Sequence, residues 1–359
     1  MGLPEVMPVA VYRGERGKVE VEHLRVPAPG PGQVLVEVKH CGVCGSDLHM
    51  IVEGWGRPGF VGGHETSGVV AAVGDGVTDW AIGDRVTCGP SPRCGECRRC
   101  LEGKPSQCEN RTAVGEGDGG NQGAFAGYTL AGARSLVAIP DGMSDRVAAL
   151  AEPLAVALHG ITRSGIKLGD TAMVFGAGPI GALTIAALVA RGIEQVTVVE
   201  PGAARRKLAL EVGAAAVLEP GDLEVFNPWE PGKIAQRAVD VVLECSGKKA
   251  AMEAGLSQLK RGGRLVLVGA GMEAPSFDPN RLLLNELEVC GSFIYDLNGF
   301  EDALSLLGSQ RLPVDALIEP SDVPLDGLTD AIKGLAEGSI PGKVMVVPTL
   351  AGATTGGTE

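Results

Sequence analysis

The hydrophobic positions change their period part-way along the chain. Up to about residue 90 they alternate in short runs, most cleanly in V-L-V-E-V at 34–38. This predicts strands over 6–12, 19–24, 33–41, 66–73 and 85–87. Pro and Gly cluster at 27–32 and G-D-G falls at 74–76, marking turns between these runs. Short strands broken by such turns predict a small, irregular β-barrel whose loops carry the chemistry. From residue 168 the texture differs. Apolar runs at 171–175, 195–200, 215–218, 239–243, 264–268 and 287–290 read as strands, with helical patterns at 182–191 and 203–212. Strands alternating with helices predict a parallel, doubly wound sheet. Two further helical patterns (299–307 and 325–337) and a last strand (343–347) follow. The Gly/Thr-rich residues 351–359 are expected to be disordered. No internal repeat is visible.

Composition narrows the function classes. The 359 residues suffice for two domains, and 45% hydrophobic with 21% charged residues is ordinary for a soluble globular protein. A formal charge of −13 argues against nucleic acid or an anionic membrane as the main partner. Residues 1–14 hold no apolar run of signal-peptide length, and the longest apolar stretch, 179–190, is too short to span a bilayer. The expected location is cytoplasmic.

A reducing compartment disfavours structural disulfides, so nine cysteines need another explanation. Four of them, Cys94, Cys97, Cys100 and Cys108, form C-x2-C-x2-C-x7-C. Four thiolates within 15 residues can close a tetrahedral zinc site with no position left for water. Gly95 and Gly103 relieve the turns, and Arg93, Arg98, Arg99 and Lys104 are expected to offset the charge. The long third spacing and the lack of a following Pro disfavour an iron–sulfur cluster. Such a metal staples a loop and does no chemistry.

The stretch 41–77 holds a different set of donors. C-G-V-C-G-S-D-L-H (41–49) and G-G-H-E-T-S-G (62–68) offer Cys44 as a thiolate ligand and His64 as an imidazole ligand. Glu65 adjoins His64, and Glu152 stands further on in A-L-A-E-P-L. Three protein ligands and one open position would let zinc bind an alcohol and lower its pKa. Ser46 and His49 follow Cys44 at a spacing suited to a hydroxyl–imidazole proton relay. Asp47 could accept the other ring N–H of His64. Each residue also has a blander role. Cys44 could be a small buried hydrophobe or half of a Cys41–Cys44 redox pair. His64 could be a core histidine, Asp47 and Glu65 turn residues, and His49 simply exposed. His23, His40 and His159 are left as structural.

G-A-G-P-I-G (176–181) follows a predicted strand and opens a predicted helix, the setting of a dinucleotide fingerprint. Gly176 permits the tight turn, Gly178 lets backbone approach a pyrophosphate, and Gly181 allows close helix–strand packing. The helix N-terminus then faces the phosphates. Glu200, 19 residues after Gly181, would hydrogen-bond the adenosine ribose and repel a 2′-phosphate. NAD is favoured, and Arg205 and Arg206 keep NADP open.

Taken together these motifs resemble the zinc-containing medium-chain dehydrogenase/reductases, the group of alcohol, sorbitol, butanediol and threonine dehydrogenases. The resemblance runs from G-H-E-T-S-G-V-V-A-A-V-G-D-G-V (63–77) through the four-cysteine run and E-P-L-A-V-A-L-H (152–159) to G-A-G-P-I-G, and spans roughly 9–347. It implies a GroES-like catalytic domain over 1–160 carrying a structural zinc lobe at 91–110, and a Rossmann NAD-binding domain over 161–296. The chain would return to the catalytic domain over 297–348 and end in a disordered tail, 349–359. It implies two zincs per chain, one catalytic and one structural. Cys44 rather than Cys41 would be a ligand, His64 the second, and Glu152 would occupy the third position. Glu65 would coordinate in some states, exchanging with water and Glu152. Ser46 and His49 inherit the relay.

On the cofactor side the resemblance implies contacts from Gly176, Gly178, Pro179, Ile180, Gly181, Glu200, Arg205, Ser246, Val268 and Gly269. The nicotinamide is expected in a cleft between the domains. The expected activity is hydride transfer between NAD and a secondary alcohol, diol or polyol. E-P-L, Glu200-Pro201 and G-S-F-I-Y (291–295) look most like the sorbitol and butanediol branches. Polyol enzymes of that branch often carry Arg where this chain has Ile294, which leaves a less polar alcohol or diol open. A homodimer or homotetramer is expected by family habit. An NADP-dependent carbonyl reductase and a non-catalytic zinc- and NAD-binding protein are the alternatives. Zinc-free ene- and quinone reductases share the fold but lack the Cys/His donors.

Overall fold

We describe the protein from a computed structural model, which describes residues 2–89, 94–110, 123–227 and 229–349. The chain divides into two compact units, residues 1–152 with 318–359, and residues 153–317. The expected boundaries, 160/161 and 296/297, shift to 152/153 and 317/318. The first now falls inside the helix Ala151–Ser164, because an apolar helical run gives no chain break to read. The second moves because the helix Gly299–Gly308 stays with the second unit. Phe300 packs edge-on against Tyr295 at 5.1 Å, and Arg311 Nη1 donates to Ala190 O at 3.1 Å. The tail beyond 349 and Arg93 lie outside the described residues.

In the first unit an antiparallel pair, β1 (Val6–Val11) and β2 (Glu20–Arg25), precedes a larger antiparallel sheet. That sheet is built from β3 (Gln33–Gly42), β4 (Glu65–Val73), β5 (Arg85–Cys88), β6 (Tyr128–Gly132) and β7 (Leu136–Ala138). Its order is returning strand, β3, β4, β5, β7, with β6 also on β3. The returning strand, Met345–Val346, comes from the far end of the chain. β3 is flanked on both sides along much of its length, and Val34, Leu35, Val36 and Val38 are fully buried. Two register shifts between β3 and β4 bend the pair, which is how a short sheet curls into a barrel. The strands β6 and β7 were not foreseen, since small residues in Y-T-L-A-G blur the alternation.

The second unit is one parallel sheet. It contains β8 (Thr171–Phe175), β9 (Gln195–Val199), β10 (Ala216–Leu218), β11 (Val239–Glu244), β12 (Leu259–Leu267) and β13 (Glu288–Gly291). Their order, β10-β9-β8-β11-β12-β13, is the doubly wound order with its switch point between β8 and β11. The helix Pro179–Ala190 is buried almost throughout, so its sequence is apolar all round rather than striped. Among the described residues no helix is long and apolar enough to cross a membrane.

Candidate active site

Strand register brings distant residues to one place. Gly42, the last residue of β3, pairs with Glu65, the first of β4, and also with Met345 of the returning strand. Cys44 lies two residues beyond Gly42, His64 one residue before Glu65, and Lys343 two before Met345. All three therefore gather at one end of the sheet. The backbone there is held firmly. The backbone N–H groups of Gly123, Ala124 and Phe125 donate to the carbonyls of Val61, Gly63 and Gly62. The fully buried Phe125 ring covers Gly62 and Gly63. Gly63 adopts φ +88°, and a Cβ on it would meet Phe125 Cδ1 and Cys41 Sγ at 2.8 Å, so only glycine fits before His64.

One donor atom each from Cys44, His64 and Glu65 lies within 4.8 Å of the others. Glu152 is buried nearby but outside that group. Burial raises its carboxyl to about 7, against the pull of His64 and Lys343. Asp47 plays a different part from the expected one. His64 Nδ1 stands 4.0 Å from Asp47 Oδ1, beyond hydrogen-bond reach. The Asp47 carboxylate instead accepts the backbone N–H of Cys44 and of Gly63, each at 3.0 Å. It fixes the backbone at Cys44 and just before His64 rather than an imidazole tautomer.

Two alternatives fall away here. Cys41 and Cys44 are both free cysteines, and the Cys41 thiol points into the core, where burial pushes its pKa well up. His64 is not an inert core histidine. Burial disfavours its charge, but Cys44, Asp47 and Glu152 together raise its pKa well above the ordinary value. One donor each of thiolate, imidazole and carboxylate meets here, and these are zinc's ordinary donors. The donor set fits zinc.

Sequence reasoning missed Lys343. Its side chain is 1% exposed and its Nζ lies 2.6 and 2.7 Å from the two Glu65 oxygens. The available signal was a single lysine opening the apolar run V-M-V-V. Ser46 is exposed on the helix Gly45–Ile51, and His49 lies one turn further along it. The His49 ring stacks on Trp55 at 5.0 Å, and its Nδ1 is 2.9 Å from Glu53 Oε2 without hydrogen-bond alignment. Trp55 is 44% exposed, a surface partner of His49.

In the lobe, Cys94, Cys97, Cys100 and Cys108 also lie within 4.8 Å of one another. Cys108 Sγ is 3.6 Å from Cys94 Sγ and 4.0 Å from Cys97 Sγ. Sulfurs at about 2.3 Å from a tetrahedral zinc sit about 3.8 Å apart, so this cluster fits zinc as well. Backbone N–H groups of Cys94, Cys97, Cys100 and Glu109 point at the sulfurs, and those of Glu109 and Cys100 pull the Cys97 thiol down. Arg98 and Arg99 do not offset the thiolates as expected. They pair with Glu102, one helical turn away, at 3.8 and 3.1 Å.

In the second unit the glycine-rich turn closes as its motif requires. Gly176 has φ +87°, and a Cβ on Gly181 would lie 1.9 Å from Gly176 O. Gly178 is open apart from the Arg205 guanidinium, 3.9 Å from where its Cβ would be. Pro179 and Ile180 begin the helix that Gly178 caps. Glu200 is buried, accepting Ala177 N–H and Gly202 N–H at 2.8 Å each. Arg206 is committed to Glu200 O, Pro201 O and Glu219. Across the switch point, Glu244 gathers the Ser246 hydroxyl and the N–H groups of Ser246 and Gly247, while its carbonyl accepts Val268 and Gly269 N–H.

Residues 30–141 match the model of the alcohol dehydrogenase GroES-like domain, and residues 179–309 that of the zinc-binding dehydrogenase domain. The chain is 34% identical to 2-dehydro-3-deoxy-L-galactonate 5-dehydrogenase of Pseudoalteromonas atlantica over 92% of this chain and 98% of that one. It belongs to the zinc-containing medium-chain dehydrogenase/reductases. As a member of that family it is an oxidoreductase of the alcohol dehydrogenase type, with a GroES-like and a Rossmann unit. Sorbitol dehydrogenase of Halalkalibacterium halodurans is 35% identical over 84% of this dehydrogenase and 88% of its own length. The crystal structure of 2R,3R-butanediol dehydrogenase from Bacillus subtilis superposes with a TM-score of 0.81 at 30% identity. It covers 96% of this chain and 100% of that one.

Proposed function

We propose that this dehydrogenase oxidises a secondary alcohol, with a vicinal diol the favoured class, using NAD and a zinc held by Cys44 and His64. The observation that carries the reading is the meeting of Cys44, His64 and Glu65 donors within 4.8 Å at one sheet end. When bound, zinc supplies a Lewis acid that lowers the pKa of a hydroxyl, and NAD supplies a hydride acceptor. The chain's own residues do the rest. Cys44 and His64 hold the metal on a backbone that Asp47 and Phe125 keep rigid. Ser46 receives the substrate's hydroxyl proton and His49 passes it to solvent, its ring oriented by the Trp55 stack. The four-cysteine lobe holds a second zinc with no open position.

Glu200 favours NAD over NADP in this reading. Its buried carboxylate leaves negative charge where a 2′-phosphate would sit, and Arg206 is engaged elsewhere. The relatives named above act on a sugar acid, a polyol and a diol, all with a hydroxyl beside the reacting one. Ile294 in place of the polyol branch's Arg favours the shorter, less polar diols among these. The test is a screen for NAD and NADP reduction across primary alcohols, secondary alcohols, vicinal diols and polyols. Turnover of diols with NAD is expected. Failure with every alcohol, or full activity in Cys44→Ala, would end this reading.

A further inference from the structure

Glu65 is docked. Its side chain is fully buried, and its carboxylate lies over the bare α-carbon of Gly42, where a Cβ would come within 2.0 Å of Oε2. Lys343 Nζ grips both oxygens and also donates to Val43 O at 3.0 Å, so its three protons are all used. Yet a Glu65 oxygen also lies within 4.8 Å of the Cys44 and His64 donors. One carboxylate thus stands beside the donors that would hold a metal while both its oxygens are held by a lysine.

We propose that Lys343 is a positioning residue that holds Glu65 in reserve, keeping the coordination position beside Cys44 and His64 available to an incoming ligand. This rests on the zinc-site reading above. Two physical arguments support it. Removing one partner of a buried ion pair leaves an uncompensated charge, which must find another cation. A metal held by Cys44 and His64 would supply that cation, so without Lys343 the carboxylate would become a permanent ligand. Formal charge points the same way. A divalent metal with Cys44 thiolate and Glu65 carboxylate sums to zero, and Lys343 restores one positive charge beside the position an anionic oxygen would occupy. Gly42 completes the device, because any side chain there would expel Glu65 from its dock.

The experiment replaces zinc by cobalt in the full-length protein and follows the change in visible absorption as imidazole is added. The lobe has no open position and stays silent in this difference. The wild type should respond. In Lys343→Met the response should need about tenfold more imidazole or more, since only the fraction with an open position binds. Gly42→Ala, which keeps Lys343 but fills the dock, should shift it in the same direction, and it decides alone if Lys343→Met does not fold. Lys343→Arg should stay near wild type. In a Glu65→Gln background, Lys343→Met should have no further effect. Wild-type imidazole affinity in Lys343→Met, or in Gly42→Ala, overturns the proposal. Uptake of a single cobalt by the wild type, with no imidazole response, overturns the zinc-site reading beneath it.

Discussion

The four-cysteine lobe and the Cys44–His64–Glu65 group are both clusters of metal donors, built in opposite ways. The lobe takes four identical donors from 15 consecutive residues and steadies them with the segment's own amides. The other group takes unlike donors from strand ends far apart in sequence, and its counter-ion, Lys343, lies 278 residues beyond Glu65. The lobe commits every donor at once. The group keeps the carboxylate beside Cys44 and His64 in the grip of Lys343. A closed site is a local property of sequence, whereas an open one is a property of strand register.

The largest expected effects separate the two directly. Cys44→Ala or His64→Ala should lower kcat/KM by on the order of a thousandfold or more, as expected when several kcal/mol of Lewis-acid stabilisation are lost. Zinc content should fall from two per chain to one, with little change in melting temperature. Cys97→Ala should also lose one zinc, but should lower the melting temperature by roughly several degrees while folded enzyme keeps turning over. If Cys97→Ala abolished turnover at full stability, the contrast between staple and active site would collapse.

Asp47 offers a finer test, because it serves the open group only through backbone. Asp47→Ala strands the buried N–H groups of Cys44 and Gly63, at about 1–3 kcal/mol each. Zinc affinity at this site should fall about 10–100-fold while the lobe's zinc is unaffected. Measuring each site's zinc release to a chelator distinguishes the outcomes, and equal acceleration at both sites would break the assignment.

The sequence spoke clearly wherever the signal was local. The period change at residue 168 announced two architectures, and C-x2-C-x2-C-x7-C announced the lobe without reference to the rest of the chain. The parallel sheet followed from alternating strands and helices, though the boundaries did not, since Ala151–Ser164 runs through the first of them as continuous helix. In the open group Cys44 and His64 were visible because they sit in dense motifs. Lys343 was not, because nothing in G-K-V-M-V-V says which strand it will join. Asp47 was assigned to the wrong partner for a related reason. Spacing tells that it is near His64, but only the folded loop shows two amides closer to its oxygens than the ring.

The smallest expected effect concerns pH. Acid protonates thiolates and imidazoles, so it empties both clusters and blurs their contrast. His40 adds a contribution that owes nothing to metal. Its Nε2 faces Asp322 Oδ2 at 3.3 Å, Arg146 holds the other oxygen of Asp322 at 2.7 Å, and its Nδ1 is buried without a partner. Burial lowers its pKa below the ordinary 6.5, outweighing the attraction of Asp322 and Asp145, to which Arg146 is opposed. The fold therefore prefers neutral His40. Its contribution is full above pH 6.5 and shrinks as the pH falls through the depressed folded value, because only the unfolded chain gains the proton readily. With both zincs retained, the urea midpoint should fall gently as the pH is lowered from about 7 towards 5, and His40→Gln should flatten that slope. Identical slopes would assign the whole acid sensitivity to the metal clusters, and the lobe and the open group would then have to be separated by zinc release alone.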